Sequence, residues 1–128
     1  MALVDFGVVQ SDLVRAGCMH TGQVLVRRSK YFPANNLAHV LVLTDKGLYH
    51  GGLPDTDGKF ERIRYGDIHN VSLEGVSLWR SIRVDYRRGQ GLERLFICPF
   101  TGRLHQPEID EGSFAQILTL LNEYMKNG

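Results

Sequence analysis

Between Gly22 and Cys98 the chain is a series of short apolar runs, each closed by turn residues. "GQVLVRRSKYF" (22–32) ends in the breaker cluster at 33–36, and "HVLVLT" (39–44) is almost unbroken apolar chain. It turns through Asp45-Lys46-Gly47 and restarts as "GLYHGG", a hairpin in which Gly47 is expected to take the positive φ of a tight turn. "FERIRY" (60–65) alternates imperfectly, because Phe60 falls on the side opposite Ile63. "DIHNVSLEG" (67–75) places Val71 and Leu73 on one face. "WRSIRVDYRR" (79–88) alternates cleanly, with Ile82, Val84 and Tyr86 against Arg83, Asp85 and Arg87. "RGQG" then turns the chain into "LERLFICPF". Seven strands joined mostly by short links predict an antiparallel meander rather than β-α-β units.

The period changes near the C-terminus. Phe114, Ile117, Leu118, Leu121 and Met125 follow helical spacing, and Ser113 with Gln116 reads as a capping box, so a helix is expected from Ser113 to Lys126. Its single apolar stripe must be buried, and the open end of a small β-structure is the natural place. Residues 1–20 form an N-terminal extension, in which Ser11 is placed to cap a short helix through Ala16 ended by Gly17.

The 128 residues fit one domain, able to bury roughly two-thirds of the surface exposed by the unfolded chain. A net charge of +1 gives no global pull toward nucleic acid or acidic membranes. Arg outnumbers Lys by 11 to 4, which suits planar ion pairs along strand faces. Cys18 and Cys98 stand far apart without metal or redox spacing, as expected of free thiols in a reducing compartment. No run has the length of a membrane span, and Asp5 breaks the layout of a signal peptide. The expected location is cytoplasmic, with peripheral membrane association as the alternative.

Sequence signatures of catalysis are missing: there is no G-x-S-x-G, H-E-x-x-H or phosphate-binding glycine loop. Cys18-Met19-His20 are sequence neighbours that do not aim at one point, so an enzyme is not expected. His39 and His50 fall on paired strands as cross-strand or diagonal neighbours, but two ligands do not complete a zinc site; neither metal nor cofactor is expected. Arg80, Arg83, Arg87 and Arg88 gather on one strand near Trp79. Tyr86 points to the other face and Asp85 dilutes their field, so a solvated, ion-paired strand face is expected and nucleic acid is not a partner.

Two stretches carry a family resemblance. "HVLVLTDKGLYHGG" and "ERIRYGDIHNVSLEG" resemble successive hairpins of the pleckstrin-homology superfold in its GRAM-like and bacterial members, and the likeness spans roughly residues 21–126. It implies a mainly β (α+β) domain over residues 21–128: a seven-stranded antiparallel barrel of two nearly orthogonal sheets capped by a C-terminal amphipathic helix. It implies a non-enzymatic binding or assembly module. The apolar run at 40–43 then either has its outer face covered, by the N-terminal segment or another subunit, or is a β-rich strand that exposes one or two valines. Val40, Val42, Leu13 and Val14 are the candidate interface, with a protein partner or a second copy (a homo-oligomer) as occupant. The alternative is an anionic membrane lipid held by Arg27, Arg28, Lys30 and His39. Lipid-binding members carry further cations on the second strand, where "AHVLVLT" offers only His39, so half a site is expected.

Overall fold

The computed structural model describes residues 3–16, 20–28, 37–52, 57–75, 80–103 and 106–127, with backbone alone at 13–16, 20, 21, 103, 106, 107 and 127. Strands β1 (Leu3–Val4) and β2 (His20–Arg27) flank helix α1 (Phe6–Ala16). The chain continues through β3 (Leu37–Leu43), β4 (Leu48–Gly51), β5 (Phe60–Ile63), a 3-10 turn at Tyr65–Asp67, β6 (Ile68–Glu74) and β7 (Ser81–Arg88). It ends in β8 (Gly91–Arg103), β9 (Gln106–Ile109) and α2 (Glu111–Asn127). The strands form one antiparallel sheet in the order β1-β5-β4-β3-β2-β8-β7-β6, with β9 on the far end of β8.

Seven strands were expected and nine are present among the described residues. The two extra strands, β1 and β9, are too short to show an alternation: two residues on the edge of β5 and four beside the C-terminal end of β8. The sheet is open. The outer edge of β5 is taken by β1, so the end strands of the series do not pair with one another among the described residues.

The central hairpin closes through side-chain chemistry as well as backbone. Thr44 Oγ1 accepts from the Lys46 and Gly47 amides, and the Thr44 amide donates to the Gly47 carbonyl. Gly47 does not take a positive φ. It is glycine because a Cβ there would lie 2.8 Å from the Ile63 carbonyl oxygen of the neighbouring strand. Positive φ occurs at the other end of the hairpin, at Gly51 and Gly52.

Both faces of this hairpin are buried, which explains its unbroken hydrophobicity. Inward, Leu41, Leu43, Leu48 and Ile63 join Val24, Ile82 and Ile97 in the main core. Outward, Val42, Tyr49 and Phe60 pack with Val9 of α1, with Val4 and Val40 beside them. Phe60, on the wrong side for a strand with one buried face, is an anchor of this second cluster. Val71 packs half-buried against the main core, whereas Leu73 is exposed.

α2 covers one end of the main core with Phe114, Ile117 and Leu121, lying against β6, β8 and the Tyr65–Asp67 turn. Its start differs from the expected one. Asp110 caps it, accepting the Ser113 amide at 3.2 Å and the Ser113 hydroxyl at 2.7 Å. Ser113 is therefore the third residue of the helix. An aspartate and a serine three residues apart can each cap, and the helix takes the earlier one. Helix α1 likewise begins before its expected cap, with the Val8 amide donating to the Asp5 carbonyl. The breaker cluster at 33–36, Cys18, Trp79 and His105 lie outside the described residues.

Candidate functional site

Five of the strands that build the main core share one feature. β2, β3, β4, β5 and β7 each carry a polar residue next beyond an inward apolar position. Val24 and Val26 lead to Arg28, Leu43 and Leu41 to His39, Leu48 to His50, Ile63 to Glu61, and Val84 to Tyr86 and Arg88. Strand alternation carries all of them to the inner face. In the register, His50 stands directly opposite Glu61, and His39 is diagonal to His50.

Glu61 is the centre of the resulting network. Its Oε1 accepts from His50 Nε2 at 2.6 Å, Arg28 Nη2 at 2.9 Å and the Tyr86 hydroxyl at 3.0 Å. Arg28 Nη1 donates to the same tyrosine oxygen at 2.5 Å, and Arg88 Nε approaches Glu61 Oε2 to 3.7 Å. His50 Nδ1 meets His39 Nδ1 at 3.0 Å. Burial would raise the Glu61 pKa, but hydrogen bonding and charge from His50 and Arg28 outweigh it and hold the carboxyl down to about 2. Burial pushes His50 below the ordinary histidine range against the pull of Glu61. Burial, then the Glu61 charge, raises the Tyr86 phenol to about 12. An ionised carboxylate that already accepts three hydrogen bonds is a poor proton acceptor, so this constellation holds strands together rather than presenting a base.

The second feature lies outside the sheet. Helix α1 rests on the β3–β4–β5 outer face through Val9 and is tied there by Asp12, whose Oδ2 accepts from the Tyr49 hydroxyl and lies 3.7 Å from Arg62 Nη1. Burial first, and then Asp12, push the Tyr49 phenol up to about 12. Its first turn leaves Phe6 49% and Val8 38% exposed, with the Phe6 ring 6.1 Å from that of Phe60.

The expected anion-contacting residues separate. Arg28 and His39 belong to the Glu61 network. Arg27, next in sequence, turns to the opposite face, where it is buried over the Phe96 ring and donates to Ser81 Oγ at 3.3 Å. Lys30 lies outside the described residues. Of the candidate interface residues, Val42 is buried beneath α1 and Val40 half-buried beside it. The side chains of Leu13 and Val14 lie outside the described residues, although their backbone belongs to α1. Cover of the 40–43 face thus comes from the N-terminal segment, one of the two expected sources.

On the arginine-bearing face of β7, Arg83 and Asp85 are ion-paired. Arg83 bonds Glu74 at 2.8 Å and Asp85 at 3.0 Å, and Arg94 bonds Asp85 at 3.3 Å. No cluster of three metal-ligating side chains forms among the described residues, and none of their helices is long and apolar enough to cross a membrane. Glu61 was not among the expected site residues, and Tyr86 and Arg88 were read only as parts of a strand; the signal that finds all three is the shared inward parity of the polar strand ends. Neither the known family models nor the curated proteins contain a match to this chain.

Proposed function

We propose that the chain is a non-enzymatic protein-interaction module of pleckstrin-homology-like, GRAM-like architecture, with two sheet layers and a C-terminal helix, and that it self-associates through α1. The strand order supports the architecture: in the seven-strand series β2 to β8, the first strand pairs with both the second and the last, and a helix follows. The exposed apolar first turn of α1 carries the functional reading. Phe6 and Val8 both belong to the first turn of a helix that covers a second hydrophobic cluster, and they are two of the five large apolar side chains exposed among the described residues. Large apolar side chains left exposed beside a hydrophobic cluster support a contact site. The lipid alternative gains less support. Arg27 and Arg28 face opposite sides of the sheet, and the Arg28 charge is already met by Glu61.

The test is molar mass by light scattering over a wide concentration range, beside sedimentation with anionic vesicles at low and high salt. The wild type should form a concentration-dependent oligomer. Val8→Glu should be monomeric and folded, since a carboxylate in a first helical turn favours the helix. A monomer at every concentration overturns the self-association, and salt-sensitive vesicle binding would install the membrane reading in its place.

A further inference from the structure

Two imidazole nitrogens face each other on the inner side of the sheet. His39 Nδ1 is 3.0 Å from His50 Nδ1, with 5.2 Å between ring centroids and 19° between ring planes. The centroid separation exceeds the nitrogen contact by almost two ring radii. Each Nδ1 therefore lies close to the line joining the centroids, and the rings meet edge to edge in nearly one plane. An imidazole lone pair lies in the ring plane and points outward from its nitrogen, so the two Nδ1 atoms aim at each other along one line.

His50 is held in this pose by its other nitrogen. Nε2 donates to Glu61 Oε1 at 2.6 Å, which leaves Nδ1 as the basic nitrogen of the neutral ring. A carboxylate behind an imidazole is the arrangement that orients metal-binding histidines and raises their basicity. His39 is the residue next beyond the last β3–β4 pair, Val40 with Gly51, so its ring can swing without breaking that ladder.

Geometry and charge select the ion. Two collinear, opposed nitrogens suit linear two-coordination, the preference of the monovalent d10 ions Cu(I) and Ag(I), whereas zinc takes four ligands in a tetrahedron. No group of three His, Cys, Asp or Glu side chains forms a metal site among the described residues. His39 and His50 are only 5% and 4% exposed, which leaves little room for water to complete a tetrahedron. Glu61 already serves Arg28, so a divalent ion would bring more charge than this buried carboxylate can offset.

We propose that the His39–His50 pair binds a soft monovalent metal ion, Cu(I) or Ag(I), in line between the two Nδ1 atoms. The ion replaces the proton that His39 donates across the contact. That proton moves to the Nε2 of His39, so both rings stay neutral and the site gains a single charge. With imidazole–metal bonds of about 2 Å each, the nitrogens part by about 1 Å from their 3.0 Å contact.

The test adds silver(I) nitrate to the full chain carrying Cys18→Ser, which removes a competing thiol, and follows the imidazole nitrogens by NMR. One equivalent should shift the Nδ1 signals of His39 and His50 together and leave His69 unmoved, and zinc(II) should move neither. X-ray absorption on the copper(I) form should show two nitrogen neighbours in line and no sulfur. His39→Gln should lower the silver affinity by more than about tenfold. Unmoved Nδ1 signals, sulfur-bound metal, an unchanged affinity in His39→Gln, or zinc taking the pair as tightly as silver would each overturn the proposal. Should the variant fail to fold, the ring signals and the zinc comparison decide.

Discussion

Replacing Glu61 with Ala should be among the most damaging single changes in this protein. Its carboxylate satisfies three donors through one oxygen, and two of them, His50 Nε2 and the Tyr86 hydroxyl, are buried. Leaving a buried donor unsatisfied costs about 1–3 kcal/mol each. The Arg28 side chain is 41% exposed and can turn to water, so its share is screened and adds at most about 1 kcal/mol. The sum is about 2–7 kcal/mol, which brackets the roughly 3–5 kcal/mol found for breaking a buried pair from one side. Glu61→Gln keeps an acceptor oxygen but loses the charge, and should cost about 1.5–3 kcal/mol. Replacing Glu61 and His50 together with Leu should recover part of the loss, because both ends of the bond are then removed. Urea unfolding measures all three, with a changed midpoint and an unchanged slope marking a pure stability effect. A cost below about 1 kcal/mol for Glu61→Ala would mean that water reaches the carboxylate and that this end of the sheet is not sealed.

Three further changes test the scaffold by the same assay. Gly51→Ala should cost on the order of 1–3 kcal/mol, since φ is +145° and the new Cβ would lie 2.3 Å from the Lys59 carbonyl oxygen; a neutral effect would refute the close approach. Asp110→Ala should cost roughly 1 kcal/mol through loss of the α2 cap, and Ser113→Ala less, whereas the reverse order would restore Ser113 as the cap. Leu121→Ala should cost about 2–5 kcal/mol because the side chain is fully buried, with a smaller loss for half-buried Leu118; equal near-neutral effects would detach α2 from the core.

Much of the fold was legible because period is a local property. The alternation in 82–87 and the helical stripe from Phe114 to Met125 each fix which side chains meet the core, and the structure has them there. Short strands carry no period, so β1 and β9 went unseen. Caps are ambiguous when Asp110 and Ser113 both qualify. Gly47 shows a deeper limit: its requirement comes from the Ile63 carbonyl on another strand, which no local pattern contains. The Glu61 network lies between these cases. Its members share an inward parity that the sequence displays, but their meeting depends on five strand ends reaching the same level of the sheet. That level is set by register, and register follows from turns and packing together. Adjacent cations such as Arg27 and Arg28 read as one cluster in sequence, yet alternation sends them to opposite faces.

The self-association surface is tested most directly by amide chemical shifts followed as the protein is diluted. Shifts that change with concentration at Phe6, Val8 and Val9, and at Phe60 beneath them, are the expected result, with Glu61, His50 and the exposed end of β7 unmoved. Invariant shifts throughout, or changes confined to β6 and the β7–β8 turn, would contradict it.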